Sequence, residues 1–247
     1  MGQEVGTPVP SAPPSAGLGS PAPSIEELTK VVALDGPAGT GKSTVCRLVA
    51  QRLGWRFVDT GATYRAVTLA VLRAGADPED ASAAERAARA AVVTLITDPA
   101  SPGVLLDGVD VGADIRTPEV TAAVSAVSAH PGVRTLLVEL QRRAMGTDGA
   151  VVEGRDIATV VAPQAAVKVF LDARPEVRAA RRAGELTGPV PSDPAVVQEA
   201  LLARDARDNQ TNALVPSGGA VHVDTSDLTL DQVVDAVVAL VAQAGLQ

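Results

Sequence analysis

The stretch Gly36-Pro37-Ala38-Gly39-Thr40-Gly41-Lys42-Ser43-Thr44 decides how the rest of the chain is read. Its spacing, G-x-x-x-x-G-K-[ST], puts glycines where backbone N–H groups must close on phosphate oxygens, a lysine in reach of the terminal phosphates, and a hydroxyl where Mg²⁺ is held. Residues 30–35 before it are an apolar run of strand length, and Val45, Leu48, Val49 and Leu53 after it recur at helical spacing. The loop is therefore expected between a strand and a helix N-terminus, whose dipole favours an anion. A glycine turn carrying a solvated lysine would match the pattern without needing that strand or that helix. Residues 36–44 read as the cradle of a nucleoside triphosphate, with Lys42 on its phosphates and Ser43 as the Mg²⁺ ligand.

Composition narrows the class. A chain of 247 residues with 46% hydrophobic content can bury a substantial core. No apolar run approaches the roughly 20 residues of a membrane span, and the N-terminus lacks the pattern of a signal peptide. Membrane association is not expected, and the cytoplasm is the expected location. The single Cys46 cannot form an internal disulfide and reads as a small buried apolar residue. A net charge of −8 argues against a nucleic-acid surface, which needs clustered positive charge. Of 21 basic residues only Lys30, Lys42 and Lys168 are lysines, and one of these occupies the phosphate loop. Arginine is thus the residue available for further phosphate contacts.

Taken in order, residues 1–28 form a Pro/Ala/Ser-rich stretch without apolar periodicity and read as a disordered tail. A second strand at 55–58 leads into Asp59-Thr60-Gly61-Ala62-Thr63-Tyr64-Arg65 and a helix to about residue 74. Residues 59–65 then lie at a strand C-terminal end, where ligands bind in open α/β sheets. After an alanine-rich helix at 81–91, the rhythm changes. Strands at 92–97 and 104–111, the latter broken by the hairpin dipeptide Asp107-Gly108, precede two helices at 117–129 and 131–145. Residues 92–149 read as an inserted α+β subdomain between two core segments, 29–91 and 150–247. The α/β pattern resumes with strands at 150–153 and 167–172, apolar runs suited to a buried parallel sheet. A helix from Pro175 carries Arg178, Arg181 and Arg182 on one face, and a Pro/Gly-rich loop within about 183–194 separates it from a helix running to about residue 210. A strand at 220–224 and a helix at 230–244 close the chain. The expected fold is α/β: a P-loop NTPase core with a five-stranded parallel sheet flanked by helices.

The ordered set Asp35-Gly36-Pro37, Asp59-Thr60-Gly61-Ala62, Tyr64-Arg65, Ile115-Arg116-Thr117, Ser125, Val133-Arg134, Glu153-Gly154-Arg155-Asp156-Ile157, Phe170-Leu171-Asp172-Ala173 and Arg178 to Arg182 resembles the bacterial cytidylate kinases, which are nucleoside-monophosphate kinases. The resemblance runs from Val31 to the C-terminus. It implies ATP-dependent phosphorylation of CMP and dCMP, with Mg²⁺ as cofactor. A monomer is the expected acting species. The resemblance also implies that 92–149 binds the monophosphate and that the 183–194 loop is a lid. By the same resemblance Ser125, Arg134 and Asp156 recognise cytosine. Arg65 and Arg155, with Thr60 nearby, hold the monophosphate, and Arg204 and Asp208 reach the ribose. Lys42, Arg155, Arg178 and Arg182 would neutralise the migrating phosphoryl group, which requires positioning and charge rather than a general base. His130 and His222 are accordingly read as structural.

One departure stands out. Where the family usually places an arginine three residues after Asp208, this chain has Thr211. Weaker monophosphate binding or slower turnover is expected unless Arg207, one turn earlier, takes that place. Two other readings compete: a P-loop kinase for UMP or a small metabolite, favoured if Ser125, Arg134 and Asp156 do not converge, and a nucleotide switch protein without transfer activity. The guanine-binding motif Asn-Lys-x-Asp is missing, because no lysine follows Lys168.

Overall fold

A computed structural model of the chain describes residues 21–185, 194–211 and 215–246. The first twenty residues of the expected tail, most of the expected lid and residues 212–214 lie outside the described residues. The elements run β1 (Val31–Asp35), α1 (Lys42–Leu53), β2 (Arg56–Asp59), α2 (Thr60–Arg73), α3 (Ala81–Ala90), β3 (Val93–Ile96), β4 (Gly103–Leu106) and β5 (Val109–Asp110). They continue with α4 (Pro118–Ala129), α5 (Pro131–Met145), β6 (Ala150–Gly154), β7 (Val167–Asp172), α6 (Pro175–Glu185), α7 (Pro194–Thr211), β8 (Val221–Asp224) and α8 (Leu230–Gln243).

Five strands make one parallel sheet in the order β2-β6-β1-β7-β8, an α/β P-loop fold. Its central strand β1 is buried along its whole length, and the two-residue period of a strand sends its side chains to opposite layers. Val32 and Leu34 join Val45, Val49, Val151, Val169, Val234 and Val237 in the core between the sheet and helices α1 and α8. Val31 and Ala33 face Val58, Ala66, Leu137 and Val152 in the core beneath α2 and α5. Both faces being apolar, β1 and β6 are fixed in register at the centre, and the loops after them fall on the same sheet edge.

The segment after α3 forms a separate antiparallel sheet, β3-β4-β5. Asp107 (φ 53°) and Gly108 (φ 82°) make its tight turn, with positive φ at both central residues as a two-residue hairpin of this kind demands. Its apolar side chains Leu95, Val104, Val111 and Ile115 merge with the α2 and α5 core rather than forming one of their own. The Thr97 carbonyl also accepts from Phe57 N at 2.9 Å, tying this segment to the edge strand β2.

Two boundaries differ from the sequence expectation. The tail was expected to extend to residue 28, but Ile25–Glu27 form a 3₁₀ turn and Leu28 is fully buried in the α2-side core, so apolar burial anchors the chain before β1. Residues 60–65 do lie at the C-terminal end of β2, as expected, but already form the first turns of α2, so the helix starts earlier than the sequence placed it. Asp59 caps that helix by accepting from Ala62 N at 2.9 Å, so helix begins directly where β2 ends.

Candidate functional site

The phosphate loop leaves β1 at Gly36, whose φ of 145° and position 2.0 Å, measured from a notional Cβ, from the Leu171 carbonyl leave room for no side chain. It enters α1 through Gly41, a left-handed N-cap, so the first amides of α1 face the loop. Lys42 is buried and its Nζ donates to the Pro37 carbonyl at 2.6 Å, while Thr40 Oγ1 donates to the same oxygen at 3.2 Å.

The back of the loop is held by α6 and α7. Arg178 is buried, pairs with the Asp205 carboxylate and donates to the Ala38 carbonyl at 3.2 Å, and Ala38 N donates to Asp205 at 3.2 Å. Arg181 grips the Thr225 hydroxyl and carbonyl at 2.8 and 2.7 Å and reaches the Thr40 carbonyl at 3.4 Å. The arginines expected to share one face therefore divide. Arg178 and Arg181 brace the loop from behind, and Arg182 lines the cavity in front of it.

That cavity, of about 350 Å³, has the loop residues Gly39, Gly41, Lys42, Ser43 and Thr44 on one side. Facing them are Thr60, Arg65, Ser125, Arg134, Asp156 and Asp208. Arg134 and Asp156 form an ion pair whose side chains are only 18% and 10% exposed. Ser125 Oγ donates to Asp208 at 3.4 Å. Arg155 ties the two sides together, donating to the Gly36 carbonyl at 2.7 Å and pairing with Asp208 at 2.9 Å and Asp205 at 3.7 Å. Arg65 donates at 3.0 Å to both the Ile115 carbonyl and Thr121 Oγ1. The Thr60 hydroxyl is committed to the Glu153 carbonyl at 2.6 Å. Asp208 thus pairs with Arg155 across the site. The Arg204 and Thr211 side chains lie outside the described residues, and Arg207 lines the cavity. His130 and His222 lie elsewhere, against the Pro78 carbonyl and the Phe170 ring.

Two residues to which sequence reasoning gave no role belong here. Glu153, the last carboxylate of β6, is buried; one oxygen accepts from Ser43 Oγ at 2.8 Å and the other has no hydrogen-bond partner among the described residues. Burial first, then the Asp59 charge, pushes its carboxyl up to about 8, against the pull of Lys42 and Ser43. Burial first, then the Arg155 charge, brings the Lys42 ammonium down to about 7. The signal was an acid at the C-terminal end of a buried strand beside the loop strand. Asp35 is the second. Its carboxylate accepts from Ile157 N at 2.9 Å and Ala158 N at 2.8 Å, fixing the π-helical turn Ile157–Val161 behind Arg155 and Asp156. Burial raises its carboxyl above the ordinary range.

Asp35→Ala strips two buried amides of their acceptor and is expected to lower unfolding free energy by about 2–4 kcal/mol in urea titrations. Asp35→Asn, which keeps one acceptor oxygen, should lose less. Equal stability of both variants and the parent would remove Asp35 from this account.

The arrangement couples an anion cradle to a second, arginine-rich compartment with a carboxylate–guanidinium pair at its base. Comparison with known proteins agrees. The family described as Cytidylate kinase matches residues 32–243. A cytidylate kinase from Streptomyces griseus is 51% identical over 215 residues, 85% of this chain and 92% of that protein. One from Streptomyces avermitilis is 51% identical over 217 residues, covering 86% and 93%, and one from Mycobacterium avium 50% over 217 residues, covering 86% and 95%. With the matched span running from β1 to the last turn of α8, the chain belongs to the cytidylate kinase family.

Proposed function

We infer that this chain transfers the terminal phosphoryl group of ATP to CMP and dCMP, and that the named side chains divide that work. The observation that carries the reading is the convergence of the phosphate loop, Arg155 and the Arg134–Asp156 pair on one cavity. Convergence of Ser125 with that pair also disfavours a kinase for an unrelated small acceptor. The donor lies along residues 36–44, with Lys42 and Arg182 facing its phosphates and Arg178 holding the loop that receives them. The acceptor occupies the other side, with residues 92–149 as its subdomain. Its phosphate meets Arg65 and Arg155, and its ribose faces Asp208. Arg207, which lines the cavity, is placed to supply the positive charge that Thr211 does not.

Asp156 supplies the acceptor that the exocyclic amine of cytosine needs, and Arg134 supplies donors for its ring acceptors. Uracil presents a carbonyl where cytosine has the amine, so Asp156 would face an oxygen. No general base is needed, because the attacking phosphate oxygen is already anionic.

Ser43 and Glu153 provide hard oxygen donors, one of them a buried carboxylate oxygen without a partner among the described residues, and these fit Mg²⁺. When bound, Mg²⁺ neutralises charge on the donor phosphates. No described helix is long and apolar enough to cross a membrane, and we place the enzyme in the cytoplasm as a monomer acting on small nucleotides rather than nucleic acid.

Asp156→Asn tests the base assignment. It replaces one acceptor oxygen with an amide donor, and the ratio of kcat/KM for CMP over UMP is expected to fall by about 10- to 100-fold, the worth of one good base contact. An unchanged ratio would place cytosine recognition elsewhere.

A further inference from the structure

The Ile115-Arg116-Thr117 triplet has a structural use for two of its three side chains or backbones. Ile115 is buried in the core and its carbonyl accepts from Arg65, and Thr117 caps α4 from its N-terminus. Arg116 has no such use. It is exposed at the end of a 3₁₀ turn, Asp114–Arg116, and makes no hydrogen bond or ion pair with the described residues. The other arginines that line the cavity, Arg65, Arg134, Arg155, Arg182 and Arg207, all have partners.

We propose that Arg116 is a phosphate-binding residue for the acceptor, delivered from the inserted segment to the monophosphate held by Arg65 and Arg155. Arg116 borders the cavity described above and also an adjoining one, of about 360 Å³, where Ser43, Thr44 and Asp59 line both. Its guanidinium therefore has room to turn toward a ligand, and no existing bond must break first. Recruiting it costs only side-chain ordering, about 0.5–1.5 kcal/mol.

Position argues for the acceptor rather than the donor. The turn that carries Arg116 is clipped to Arg65 through the Ile115 carbonyl, and the same Arg65 nitrogen holds Thr121 in α4. Arg65 and Arg116 are thus neighbours through one backbone group, while the donor phosphates have the loop amides and Lys42. A monophosphate dianion matches several guanidinium groups better than one, because each supplies a planar pair of donors.

This inference rests on the CMP kinase reading, and its test separates the two. CMP, cytidine and ATP dissociation constants are measured by calorimetry for the full-length parent, Arg116→Ala and Arg116→Lys. Loss of a charge-assisted contact predicts about 10- to 100-fold weaker CMP binding in Arg116→Ala, with cytidine and ATP within twofold of the parent. Arg116→Lys should recover part of the loss. Unchanged CMP affinity, an equal fall for CMP and cytidine, or a selective fall for ATP would each overturn the assignment. If the parent itself failed to bind CMP, the functional reading would fall instead.

Discussion

Lys42→Met should lower kcat for CMP-dependent ADP formation by about 10³-fold, the scale set by removing a cation from a phosphoryl-transfer site. Methionine preserves most of the unbranched stem but carries no charge. The expected loss lies mainly in kcat, because in the proposed role the lysine acts most strongly on charge that develops as the phosphoryl group migrates. Stability should move the other way or not at all. Burial among Arg155 and the loop brings the Lys42 ammonium down to about 7, so the charge is disfavoured in the nucleotide-free protein. Urea unfolding at neutral pH should therefore show a variant no less stable than the parent. A poorly active and destabilised variant would instead mean that the Nζ contact to the Pro37 carbonyl matters chiefly to the loop's fold.

On the proposed reading, in which one side chain serves both halves of the site, Arg155→Ala should reduce kcat/KM for CMP by a similar factor, about 10³-fold. Its guanidinium bonds the Gly36 carbonyl on the donor side and the Asp208 carboxylate on the acceptor side, at 2.7 and 2.9 Å. Removing it leaves Asp208, with 13% side-chain exposure, without that counter-charge and uncouples the two compartments. Misplacement of reacting groups by about 1 Å can cost 10²-fold on its own. Arg155→Lys should recover only a small part, since an ammonium cannot span both partners in the planar geometry of the fork. Initial-rate kinetics with CMP varied at saturating ATP, alongside circular dichroism to show an intact fold, measure this. A lysine variant with parental kcat/KM would contradict a bridging role.

Sequence placed the glycine-rich loop well and the contacts around it unevenly. The phosphate loop was legible because each residue type has a separate physical task, and flanking periodicity placed it between β1 and α1. The parallel sheet was legible because β1, β6 and β7 are short, predominantly apolar runs, as strands of a buried parallel sheet require. Asp107-Gly108 announced its hairpin through the positive φ values such turns need.

What escaped depends on which surfaces meet. The i, i+3, i+4 spacing put Arg178, Arg181 and Arg182 on one side of α6, but spacing cannot show that Asp205 and Thr225 occupy part of that side. Glu153 and Asp35 are single acids at strand ends in sequence, and their roles emerge only when β6 is set beside β1. The π-helical turn Ile157–Val161 itself contains Ile157, Thr159, Val160 and Val161, β-branched residues that signal no helix. Arg116 is the converse case: its motif was visible, but its lack of partners appears only in three dimensions.

The central claim is that one cavity joins an ATP cradle to a cytosine-selective acceptor site. A coupled ADP-release assay with the full-length protein, comparing CMP, dCMP, UMP and AMP at equal concentration with MgATP, tests it most directly. The structure predicts turnover with CMP and dCMP and kcat/KM at least about 10²-fold lower for UMP and AMP, as expected when a buried carboxylate meets the wrong base edge. Turnover with UMP or AMP in preference to CMP would contradict it.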